Sequence, residues 1–203
     1  LSVSRSRVSD NYSQGIAAFE SGTTVTVSDV WVSGTKPNAE GILGLGIEAF
    51  GGASVSVSGS RVSDNYVAGI LASDSGTTFT ASDVWISGTK QEPAEGISGA
   101  GVGAQGGASL SVSRSRVSDN YLKGIAAFES GTTVTVSDVW VSGTKPNAEG
   151  KDGKGIGAYS GASVIVNGSR VSDNHTDGIK ASGSGTTVTV SAVWVSGTQL
   201  NGE

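Results

Sequence analysis

The chain contains no cysteine and no methionine among its 203 residues. Without Cys there is no disulfide, no thiolate metal site and no cysteine nucleophile. Without Met, the expected origin is a fragment or a processed chain, with any signal peptide outside it. Charge is sparse: 13 Lys and Arg against 18 Asp and Glu, a net charge of -5. A nucleic-acid binder carries a basic footprint, so that partner is not expected. No apolar run approaches the ~20 residues of a membrane helix. Aromatics make up 6% of the chain, so any core has to be built from small aliphatics.

What is abundant is glycine, 32 residues, and repetition. The string Ser-Arg-Val-Ser-Asp-Asn places Asp10, Asp64, Asp119 and Asp173 at spacings of 54, 55 and 54. The four Trp, Trp31, Trp85, Trp140 and Trp194, follow the same spacing. Residues 1–41 match 110–150 everywhere except Ser13/Leu122 and Gln14/Lys123. Each unit divides again, because Gly15, Gly46, Gly69, Gly101, Gly124, Gly155 and Gly178 open similar segments 23 or 31–32 residues apart. The chain reads as one repeat array over 1–203, about eight coils in four tandem pairs of about 54 residues.

Within a coil the apolar period is two, which predicts strands. Ile16 and Ala18, Val25 and Val27, and Val30 and Val32 point inward in one coil; Ile47 and Ala49, Val55 and Val57, and Ser60 and Val62 follow in the next. Three short strands per coil, stacked coil on coil, predict three parallel sheets around an aliphatic core. The Gly-Ile-x-Ala starts, the Val-x-Val middles and the Ser-Arg-Val-Ser-Asp-Asn corner resemble the right-handed parallel β-helix family with pectin-lyase-like coils. The resemblance implies an all-β solenoid. It implies little about function, because that fold hosts lyases, hydrolases, adhesins, phage spikes and ice binders.

The corners carry further expectations. Asn11, Asn65, Asn120 and Asn174 alternate with Thr35, Thr89, Thr144 and Thr198, and Asn is expected to take the left-handed turn and form a ladder. A three-residue corner, Tyr12 to Gln14, alternates with long loops over 36–45, 90–100 and 145–154 that should project from one edge. Their acids Glu40, Glu95 and Glu149 are expected to be solvated.

Function would lie on the outward columns. One is a Ser/Thr face: Thr24, Thr26, Ser54, Ser56, Thr78, Thr80, Ser109, Ser111, Thr133, Thr135, Thr187 and Thr189, interrupted at Ile165 and Asn167. It is either ordinary outward strand composition or an ice-binding array. A second column alternates Arg7, Trp31, Arg61, Trp85, Arg116, Trp140, Arg170 and Trp194. It is either a self-satisfied cation–π ladder or a sugar- or surface-binding stripe. A third pairs Phe19 with Phe50 and Phe128 with Tyr159, under the loops or as patches for self-association.

Catalytic signals are poor. The single His, His175, takes the place of Tyr12, Tyr66 and Tyr121. The Asp column repeats every second coil, about 10 Å apart, too far for a shared metal or a retaining carboxylate pair. Active sites are singular, whereas this chain copies 39 of 41 residues. The expectation is a rigid, non-enzymatic segment of a secreted or cell-surface protein, adhesive or structural, with no metal or cofactor. Its partner would be a glycan or another surface. The strand-forming ends predict a longer solenoid or end-to-end self-association. Two alternatives stay open: an ice-binding protein, and a polysaccharide-active enzyme with catalytic residues outside these coils.

Overall fold

The structure is a computed structural model that describes residues 1–41, 43–91 and 99–198. Among the described residues there are 23 strands and no helix. One coil runs through Gln14–Phe19, Thr24–Ser28 and Trp31–Ser33, and the next through Leu45–Phe50, Ser54–Ser58 and Arg61–Ser63. Coils stack into three parallel sheets of eight, eight and seven strands, in unbroken coil order. The architecture is a right-handed parallel β-helix.

The core follows from the period of two. Val25, Val27, Val30 and Val32 are at most 2% exposed, and their equivalents in the inner coils form columns with them. Val136 stands over Val112 and under Val166 with no exposed surface. β-Branched and small side chains suit these columns, because each has to fit in the ~4.8 Å between neighbouring strands.

The repeat unit is two coils rather than one, and the reason is complementarity at the corners. Asp64 is followed one coil later by Gly88, and its carboxylate oxygen lies 2.8 Å from where a Cβ on that glycine would be. Asp119 and Gly143 repeat the arrangement at 2.9 Å. Ser60, Ser115 and Ser169 alternate with the inward valines of neighbouring coils and accept the amides of Val30, Val84 and Val139 at 3.0–3.1 Å. Each such hydroxyl also donates to the carbonyl two residues back, so a polar side chain at the core margin is satisfied in both roles.

The Asn column bonds between coils, but to Thr backbone rather than to like residues, and its Nδ2 groups are buried without a partner among the described residues. Asn65 Oδ1 accepts from Thr35 N–H at 3.0 Å, Asn120 from Thr89 at 3.0 Å, and Asn174 from Thr144 at 3.1 Å. The left-handed residue is not the Asn, however. It is the preceding Asp10, Asp64, Asp119 or Asp173, at φ 58–60°. The chain has to turn directly after the last strand, and the Asn side chain then points inward, where its Oδ1 meets the Thr N–H of the preceding coil. Asn120→Ala should cost about 1–3 kcal/mol, because the Thr89 N–H loses a buried acceptor. A denaturant melt measures it.

The long loops close on the Tyr column. Tyr66 N–H donates to Gly44 O at 2.9 Å, and the loop glycine Gly153 packs against the Cβ of His175. His175 thus has a structural place, with Nε2 3.2 Å from Gly150 O. Glu40 and Glu149 are exposed, as expected, while Glu95 and the 92–98 part of the second long loop lie outside the described residues.

Candidate functional site

The Arg/Trp column is in register strand by strand. Arg7 pairs with Trp31, Trp31 with Arg61, Arg61 with Trp85, and so on to Trp194. Alternation along a strand puts Val8 and Val32 inside, so Arg7 and Trp31, one residue before them, point out. Each guanidinium sits close over the Trp of the following coil: 4.3 Å for Arg7 on Trp31, 4.3 Å for Arg61 on Trp85 and 4.4 Å for Arg116 on Trp140. It lies farther from the Trp of the preceding coil, at 5.4–5.8 Å. Trp31, Trp85 and Trp140 are therefore sandwiched, with both faces against a guanidinium.

Hydrogen bonds fix the rings. Nε1 of Trp31, Trp85 and Trp140 donates to the hydroxyl of Ser63, Ser118 and Ser172, one coil on, at 3.1–3.3 Å. These indoles remain 38–42% exposed although a guanidinium lies on either side of each along the stack. A sugar stacks on an open π face, so this ladder offers it edges and guanidinium N–H groups instead. Arg116→Ala should destabilise by less than about 1.5 kcal/mol, with a larger change in the fluorescence of Trp140 than of Trp85. Single-Trp variants in a melt and an emission scan check both.

A parallel ladder was missed by sequence reasoning. Lys36, Lys90 and Lys145 stand in the Tyr column, with Nζ 5.9, 5.1 and 5.5 Å from the rings of Tyr12, Tyr66 and Tyr121. The signal was available, since each Lys follows Gly-Thr where each Tyr follows Asp-Asn. Between the two ladders runs the Asp/Gly column. One resulting cleft, about 480 Å³, is lined by Asp64, Tyr66, Lys90, Asp119, Tyr121 and Lys145 around Gly88.

The Ser/Thr face lies on the neighbouring sheet. Its residues Thr24 through Thr189 are in register, Ser54 over Thr78 and Ser109 over Thr133. Part of its hydroxyl capacity is spent internally: Ser54 Oγ lies 2.7 Å from Thr78 Oγ1, and Thr187 Oγ1 donates to Ser163 Oγ at 3.0 Å. Where this face meets the Arg/Trp sheet, Arg114 and Asp83 form a two-bonded ion pair between coils at 2.7 and 3.1 Å. Arg114 thereby holds the Asp83 carboxyl below its usual range, by hydrogen bond first and charge second.

The third sheet carries the aromatic pairs. Phe19 and Phe50 meet edge to face at 6.0 Å and are 43% exposed, so no loop covers them. Phe128 and Tyr159 are stacked at 4.9 Å and half-buried. Among the described residues no group of three or more His, Asp or Glu is placed to hold a metal ion. Among the described residues no helix is long and apolar enough to cross a membrane.

With the coils, corners and ladders in place, comparison with known families adds one finding. The family described as the right handed beta helix region matches residues 1–195. The chain belongs to that family. Comparisons with curated proteins and with solved structures found no match.

Proposed function

We propose that this chain is a rigid structural or adhesive segment of a secreted or cell-surface protein, presenting its repeated columns to a glycan or another surface. One observation carries the reading: the Arg/Trp alternation runs through all eight strands of its sheet without a break. A surface that repeats every two coils suits a spacer or a multivalent contact better than a single reaction centre. The family holds polysaccharide-active enzymes as well as non-enzymes, and the repeated carboxylates stand two coils apart, about 10 Å. In this reading the Arg/Trp ladder chiefly stiffens the rod. Glycan contact is secondary and runs through indole edges, guanidinium N–H groups and the Asp/Tyr/Lys clefts.

The Ser/Thr face supports an ice-binding reading less well, because half of its rungs lack methyl groups and some hydroxyls bond each other. Three assays on the same preparation separate the classes. The proposal expects retention on immobilised glycans or cell surfaces, weakened by a joint Arg61→Ala/Arg116→Ala substitution. It expects no thermal hysteresis and no cleavage of acidic polysaccharides. Thermal hysteresis would transfer the function to the Ser/Thr face, and cleavage would make the chain an enzyme.

A further inference from the structure

The two positions at which the 41-residue copies differ are adjacent, and they alter the outer face of the third sheet. Each copy forms this face together with the coil that follows it: in the first, Gln14 pairs in register with Leu45, Ala17 with Glu48, and Phe19 with Phe50. Gln14 Nε2 donates to Glu48 Oε2 at 2.6 Å, and that carboxylate is 8% exposed. The first copy therefore fills this face with its own donor and its own acceptor.

The second copy keeps the donors and loses the acceptor. Lys123 takes the place of Gln14, Lys154 that of Leu45, Gly157 that of Glu48 and Tyr159 that of Phe50. Lys123 is 6% exposed. Among the described residues its ammonium makes no hydrogen bond or ion pair; it lies 5.9 Å from the Phe128 ring and shares the patch with the like-charged Lys154. The Tyr159 ring stacks on Phe128, and its hydroxyl lies over Gly157, where a side chain would otherwise sit. That hydroxyl is buried without a hydrogen-bond partner. The neighbouring charges are mostly balanced: Lys154 pairs with Asp152, and Lys180 with Asp177 at 3.6 Å. The ammonium and the phenol are both donors, so what this patch lacks is an acceptor.

We propose that the patch around Lys123 and Tyr159 is a binding site for a carboxylate group carried by a ligand, which takes the role that Glu48 plays within the first copy. The ammonium supplies the charge and up to three N–H donors, and the phenol supplies one O–H. Burial agrees with this arrangement. It lowers the Lys123 ammonium pKa and, with the Asp177 charge, pushes the Tyr159 phenol up to about 12, so each group gains from an anionic acceptor. The site occurs once in the described residues, unlike the ladders. It is independent of the proposal that the rod is structural, since a spacer can carry one specific contact.

The test uses the whole chain with 13C-labelled lysine and follows the Lys123 Cε resonance during titration with acetate, glucuronate and neutral glucose. Two variants borrow residues the first copy already accommodates: Lys123→Gln, and Gly157→Glu with Tyr159→Phe, which builds in an internal carboxylate. Acetate and glucuronate should shift Lys123 saturably, and glucose should not. In the double variant the Lys123 shift should already be displaced without ligand, and acetate should bind about tenfold more weakly or worse. Tighter binding of glucuronate than of acetate would assign the carboxylate to an acidic sugar, and equal binding to a small organic acid. For Lys123→Gln the readout is the Tyr159 ring resonances, which should no longer respond to acetate. A Lys123 resonance unmoved by both acids, or Tyr159 shifts that persist unchanged in Lys123→Gln, would overturn the site. Neither result bears on the glycan-retention and hysteresis assays of the rod itself.

Discussion

Val136→Asp is expected to abolish the folded state under conditions where the parent is native. The side chain has no exposed surface, and its neighbours along the stack are Val112 and Val166. An aspartate there finds no cation and no hydrogen-bond donor. Burying an unpaired charge is among the few single changes that cost more than about 4 kcal/mol, comparable to a large share of a domain's whole stability. Protonation offers some relief, so the defect should ease as pH falls toward the carboxyl's raised pKa. Val136→Ala removes the same packing without the charge and should cost about 1–3 kcal/mol. Urea melts of the three proteins give the comparison. An Asp variant that melts with the parent would mean that Val136 does not face the core.

Gly124→Val should be nearly as damaging, for a different reason. A Cβ at Gly124 would stand 2.6 Å from Gly155 O in the next coil and 2.6 Å from Val141 Cγ1 in the core. The first neighbour is backbone, held in the sheet's hydrogen-bond ladder, so it cannot turn away as a side chain could. The same approach recurs at Gly46, 2.5 Å from Gly69 O, and at Gly155, 2.6 Å from Gly178 O. A valine therefore forces adjacent coils apart or breaks the strand at its start, at a cost of about 3 kcal/mol or more. Gly22→Ala is the useful comparison, since nothing lies within 4 Å of a Cβ there and only its positive φ of 85° opposes the change. Loss of soluble folded Gly124→Val, with Gly22→Ala still folded, is the expected pair of results in circular dichroism and melting.

The coil count, the three sheets and the register of every outward column could be read from the sequence, because tandem copies act as their own alignment. Val8 over Val32 fixed the phase, and a period-two strand then left Arg7 and Trp31 no direction but outward. The opening glycines were visible as markers, but the cause was not. A close carbonyl from the next coil is a three-dimensional fact, and a glycine looks the same whether it serves a turn or a contact. The left-handed corner was misplaced by one residue, onto Asn11 instead of Asp10, because both side chains tolerate that conformation and only the inward demand of the ladder separates them. The Lys123 patch lay behind a correct observation that was read only as evidence of duplication. Two differences in 41 residues gave no hint of importance until Glu48, Gly157 and Tyr159 were seen on the same face.

The claim on which the rest depends is that the Arg/Trp ladder is paired along the axis and stabilises the rod. A double-mutant cycle on Arg116 and Trp140 measures that pairing directly, from the stabilities of the parent, Arg116→Ala, Trp140→Ala and the double variant. With the guanidinium 4.4 Å from the indole centroid, the predicted coupling is favourable and about 0.5–1 kcal/mol. Stability losses that simply add, with no coupling, would contradict a structural ladder and leave these side chains to serve a ligand instead.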